Sequence, residues 1–264
     1  MLTNGLWDLA NLSRFIEWLN IFVALALALK LWRSGLRATY PVLFVFLIFS
    51  SAALMVYESL PRGTNLYAKV YFALTPLHWM LYFGLAYEIY RRVLEEHRGI
   101  ATAGRWVVTA GIGISALVTA ATMLAELSAR PQKYPILLAF HVTERAVVTA
   151  LALLLIILSA FLLYFPVLLR RNSLLIVTGL TIFFLFKALL LLMRNILGPD
   201  TVMVVSAANQ TLYLAITATW LFRLIPHSAD AMSGPRATVP KERAEEMLRR
   251  LGQMNEVLLR SSGR

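Results

Sequence analysis

Thirteen side chains set in five apolar stretches are the ones this chain could use for chemistry: Glu17, Asn20, Tyr71, Thr75, His78, Tyr82, His141, Glu144, Arg145, Lys187, Asn209, Gln210 and Tyr213. Their spacing makes them a set. Residues three or four apart share a helix face, and Tyr71, Thr75, His78 and Tyr82 follow steps of four, three and four. Ser206, Asn209, Tyr213 and Thr217 form a second such stripe, with Gln210 beside it. His141, Glu144, Arg145 and Thr149 share a third face, Lys187 and Arg194 a fourth, and Ser13, Glu17 and Asn20 a fifth. Ser51 and Tyr57, with Glu58 adjacent, add a weaker group. A layer of carboxylate, ammonium, imidazole and amide groups could hold a small polar ligand, pass protons, or hold the helices to one another.

The surroundings of these groups raise the stakes. His141, Glu144 and Arg145 open a segment that then runs apolar for almost twenty residues, and Lys187 sits in "LFKALLLLMR". A charge at the centre of a bilayer costs several kcal/mol, about 3 on insertion scales. Such groups therefore stand at the membrane interface, pair with each other, or serve a site. Polar stripes also act as packing glue, at about 0.6 kcal/mol per contact, and that reading stands beside the ligand reading for the third and seventh stretches. Lys187 could also be the cation of a structural ion pair with a glutamate.

Several chemistries are excluded or disfavoured. There are no cysteines, so thiol nucleophiles, thiolate metal sites and disulfides are absent. No aspartate lies within an apolar stretch and only His78 and His141 of the four histidines do, which removes an aspartyl intramembrane protease and a three-histidine metal site. A haem between His78 and His141 is disfavoured because their expected depths differ by several ångströms on a rise of about 1.5 Å per residue. No cofactor and no metal is expected. Retinal proteins share the helix count but carry their lysine in the seventh span, where this chain has none. "EEMLRR" in the tail matches a protease pattern without its histidine partners. Phosphate loops and nucleophile elbows do not occur.

The elements that must position these residues follow from composition. Of 264 residues 59% are hydrophobic and 15% charged, with a mean hydropathy of +0.69. A soluble domain is about one quarter charged, so the class is an all-α integral membrane protein. A crossing takes about 20 apolar residues. Seven stretches qualify, at 12–31, 41–59, 68–88, 105–126, 136–165, 173–195 and 202–222. The expected fold is a seven-transmembrane-helix domain over 1–226. The N-terminal stretch lacks a basic start before its apolar run, so the first span is read as uncleaved.

Orientation follows from Lys and Arg near the span ends. Lys30, Arg33, Arg37, Arg91, Arg92, Arg98, Arg105, Arg170 and Arg171, with eight more from Arg223 onward, make seventeen on one side. Arg62, Lys69, Arg130, Lys133 and Arg194 make five on the other. The N-terminus is expected outside and the C-terminus in the cytoplasm of a cell inner or plasma membrane. The net charge of +11 expresses this bias and implies no nucleic-acid partner. At about 1.5 Å per residue Lys187 lies roughly 10 Å below the outer surface, and His78 and Asn209 about 12 Å. The polar groups thus fall in the outer half, where outer loops this short leave recognition to the helices.

Residues 227–240 have the Ser, Ala, Gly and Pro content of a linker, and Pro240 suits a helix start. In 241–264, Ala244, Met247, Leu251, Met254 and Leu258 follow a heptad seam. This tail is read equally as an amphipathic helix on anionic lipid and as a helical contact to a cytoplasmic partner or a second copy. The leading expectation is a receptor or sensor with a small polar ligand in the outer half, the lipid bilayer as its setting and an output through the tail. The alternatives are a proton-coupled small-solute transporter and a non-catalytic scaffold subunit. Catalysis is not expected.

Overall fold

A computed structural model describes residues 2–61, 64–95, 135–164, 169–197, 201–226 and 232–233, with isolated positions at 109, 113, 117, 245, 246, 249, 250 and 253. The expected fourth span at 105–126 and nearly all of the tail lie outside the described residues. The helices are α1 (Leu2–Arg33), α2 (Leu36–Thr39), α3 (Pro41–Ser59), α4 (Asn65–Glu95), α5 (Pro135–Tyr164), α6 (Arg171–Leu197) and α7 (Val202–Arg223). Two-residue strands β1 (Leu169–Arg170) and β2 (Met232–Ser233) pair antiparallel, so the segment read as a linker carries a short backbone pairing.

Among the described residues four helices are long and apolar enough to cross a bilayer, at Asn11–Arg33, Pro41–Ser59, Val142–Ala160 and Arg171–Met193. They fall on the expected first, second, fifth and sixth spans. The expected third and seventh spans form α4 and α7, which do not reach the same apolarity. The reason is local, since these helices carry the stripes of His78 and Asn209 that dilute their hydrocarbon content.

The chain divides into two compact units, one of residues 1–85 with 185–229 and one of 86–184 with 230–264. In the first, α1 ends where Gly35 takes φ +73°, a conformation that disfavours a Cβ. Ser34 N–H and Gly35 N–H close the helix on the Lys30 and Trp32 carbonyls, at 2.9 and 3.2 Å. Pro41 then occupies the first turn of α3, where a missing N–H costs nothing. The Arg37 guanidinium lies 5.0 Å from the Trp32 ring and 5.9 Å from Phe44, which ties the turn to both helices.

Two registers organise this unit. Asn20 bonds to Gln210, and Lys30 donates to the Leu221 carbonyl. The partners advance together, so α1 and α7 pack parallel. Val42 meets Gly84, Phe46 meets Tyr82, Ser50 meets His78 and Tyr57 meets Tyr71. One index rises while the other falls, so α3 and α4 are antiparallel. Gly84 permits the approach: a Cβ there would stand 3.0 Å from Val42 Cγ1.

Large apolar side chains line the outer surface as well as the core. α1 exposes Phe15, Trp18, Phe22, Leu25, Leu29 and Trp32 and buries Ser13, Glu17 and Asn20. α6 exposes Ile182, Leu185, Phe186, Leu189, Leu192 and Met193. Apolar stripes this long on an outer surface fit lipid contact. In the second unit, Val142, Ala146, Leu151, Leu155 and Leu158 of α5 and Ile176, Val177, Leu180, Phe183 and Phe184 of α6 are buried. Ser159 and Thr181 hydroxyls meet there at 3.3 Å.

Candidate functional site

The first unit gathers polar groups from five helices into one layer. On α1, Asn20 is fully buried, and its Nδ2 donates to the Gln210 backbone carbonyl at 3.1 Å and to Gln210 Oε1 at 3.0 Å. From α3, Ser50 Oγ stands 3.4 Å from His78 Nε2 on α4. His78 also makes a hydrogen bond to the Leu74 backbone. With a proton on the nitrogen facing Leu74, Nε2 accepts from the Ser50 hydroxyl. The His78 ring lies 6.3 Å from Tyr82, one turn along α4. Lys187 Nζ of α6 sits 5.3 Å from the Tyr82 centroid. A cation at this distance interacts favourably with the ring by about 0.5–2 kcal/mol.

Phe46 of α3 lies at the centre. Its ring is 5.5 Å from Tyr82, 6.5 Å from His78 and 6.3 Å from Tyr213 on α7. Ser50 lies near the Tyr213 hydroxyl as well as His78. Asn209 and Gln210 are a turn away from Tyr213 on the same helix. Of the predicted residues, then, His78, Tyr82, Lys187 and Tyr213 are linked by direct contacts or through Phe46 and Ser50, while Asn20 and Gln210 form a second pair whose α7 member lies one turn from Tyr213. Asn209 stands beside Gln210 with its Oδ1 sealed from solvent and without a hydrogen-bond partner among the described residues.

The remaining predicted residues are placed differently. Glu17 is buried one turn above Asn20 and accepts from Ser13 Oγ at 3.4 Å. Thr75 donates to the Tyr71 carbonyl at 2.8 Å within its own helix. The Tyr57 ring lies 5.9 Å from both Tyr71 and Tyr67, tilted to each, near the N-terminal end of α4. Thr217, the last member of the α7 stripe, likewise bonds to Tyr213 and Leu214 carbonyls. The threonine hydroxyls of both stripes thus serve their own helices.

His141, Glu144 and Arg145 belong to α5 and the second unit. Glu144 is buried and Arg145 partly so; the side chain of His141 lies outside the description, as does that of Arg194. That unit also buries Glu88, Asn172 and Ser173.

Two members of the layer escaped the sequence reading. Ser50 was overlooked in favour of Ser51, which bonds back to the Leu47 carbonyl at 2.8 Å. The seven-residue step from Ser50 to Tyr57 could have flagged the right face. Phe46, an apolar residue in an apolar run, carried no signal. No family model matches this chain, and comparison with curated proteins and with solved structures found no match.

Proposed function

We propose that the protein is a seven-span receptor or sensor of the cell inner or plasma membrane, with its N-terminus outside. A small polar ligand binds in the layer around His78, Tyr82, Lys187 and Asn20, helix packing shifts, and the cytoplasmic tail at 241–264 passes the change to a separate partner. The observation that carries this reading is the convergence of α1, α3, α4, α6 and α7 on one polar layer, in a unit whose outer faces are apolar. Pairwise packing glue needs two helices at a time. A layer drawn from five helices, with an ammonium and an imidazole both near one tyrosine ring, suits a common occupant.

The parallel register of α1 and α7 supports the span count. Two parallel crossings need an odd number of crossings between them, and seven spans place five there. A ligand signals only if it binds two packings with different affinity, and helices meeting around one layer offer such alternatives. His78 and Lys187 flanking Tyr82 also suit a proton-coupled carrier, and uptake of a solute into sealed vesicles would favour that reading over the sensor.

The test is native mass spectrometry of protein purified gently from its own membrane, in the parent form and as Lys187→Met and Lys69→Met. Lys69 is exposed at the outer end of α4. The expected result is a bound small molecule retained by the Lys69 variant and lost at least tenfold from the Lys187 variant. A bare chain in all three, with a co-purifying protein, would replace the receptor with the scaffold.

A further inference from the structure

The chemistry of the ligand can be read from the one side chain in the layer whose orientation is fixed. Asn20 Nδ2 donates to the Gln210 backbone carbonyl and to Gln210 Oε1. A backbone carbonyl only accepts. Turning the amide over would set Oδ1 against that oxygen at about the same 3.1 Å, so the amide has one permitted orientation. Its Oδ1 therefore points away from Gln210. Asn20 is 0% exposed, and Oδ1 has no hydrogen-bond partner among the described residues. Asn209 Oδ1, beside Gln210, also has no hydrogen-bond partner among the described residues. Native proteins leave few buried acceptors unmet, and only a donor can satisfy these.

The rest of the layer narrows the donor. Phe46, Tyr82 and Tyr213 present aromatic rings with centroids 5.5 and 6.3 Å from Phe46. Such rings favour a cationic donor over a neutral one. Lys187, however, already brings a positive charge to Tyr82, and a bare cation entering the layer would meet like charge in a medium that screens poorly. A ligand that carries its own carboxylate next to its ammonium avoids this, and its carboxylate is attracted to Lys187.

Resting on the ligand-binding reading above, we infer that the occupant is a small zwitterion of the amino-acid class. Its ammonium donates to the amide oxygens of Asn20 and Asn209, and its carboxylate lies toward Lys187.

The experiment uses the full chain in detergent, with binding read by calorimetry and by shift of the unfolding temperature. The probes are the common free amino acids in pools, then for any active member its deaminated carboxylate and its decarboxylated amine, with glycerol and glucose as neutral donors. The expected result is binding by at least one amino acid, at least tenfold tighter than either of its analogues. Asn20→Leu should weaken it about tenfold, the worth of one or two buried hydrogen bonds. If that variant does not fold, Asn209→Leu takes its place with the same expectation. Equal binding of an amino acid and its amine-free analogue, or unchanged affinity in the folded amide variant, overturns the zwitterion. Binding of glucose or glycerol that Lys187→Met abolishes overturns the zwitterion but keeps the receptor. A layer that holds water alone, with every probe silent and nothing co-purifying, overturns both.

Discussion

At the scale of the residue, Asn20 shows how much a buried amide can specify. It bridges α1 to α7 with two donated bonds, and its carbonyl faces the interior. Asn20→Asp keeps the size and removes both donors, placing a carboxylate against two acceptor oxygens in a sealed site. The expected loss is about 2–4 kcal/mol, against about 1–2 for Asn20→Leu, because a buried unpaired charge or acceptor costs more than a missing contact. Thermal unfolding in detergent measures the pair. If aspartate is tolerated as well as leucine, the amide does not donate to Gln210. The residue types of this layer were legible in the chain: Lys187 in "LFKALLLLMR" cannot be mistaken for hydrocarbon. Which neighbours they meet was not, because one partner of Lys187 is an aromatic ring on a helix about a hundred residues earlier, at Tyr82.

At the scale of the element, α3 and α4 depend on one glycine. A Cβ at position 84 would stand 3.0 Å from Val42 Cγ1, and the β-branched valine has little freedom to turn away. Gly84→Ala is expected to cost about 1 kcal/mol by overpacking, and the double variant with Val42→Ala to recover most of it. Equal losses in the single and double variants, by unfolding temperature, would show that the two helices do not touch there. The period of helix turns groups Tyr71, Thr75, His78 and Tyr82 on one stripe, and in the structure Tyr71 meets Tyr57, His78 meets Ser50, Tyr82 meets Phe46 and Thr75 bonds within its own helix. The period could not say that Thr75 would be consumed by the Tyr71 carbonyl, since that hydroxyl chooses between backbone and ligand only when the surroundings are in place.

At the scale of the molecule, the long apolar outer stripes of α1 and α6 are what lipid as the outer solvent demands. Orientation is the property to test here. A reporter active only in the cytoplasm is expected to work when fused after residue 264 and to be silent when inserted within 127–135. Three crossings separate those points in the seven-span order. Activity at both would place them on the same side and break that order.

What the sequence determined by itself was the class and the set of polar residues. Hydropathy and the 3.6-residue period are local properties, readable one helix at a time, which is why the apolar helices Asn11–Arg33, Pro41–Ser59, Val142–Ala160 and Arg171–Met193 fall on expected spans. Tertiary structure alone decided which helices share the layer, that Phe46 and Ser50 lie at its centre, and that the Asn20 amide turns its oxygen inward. Those facts depend on register between helices, and register is set by side-chain packing across gaps such as the 190 residues between Asn20 and Gln210, a distance over which no periodicity carries a signal.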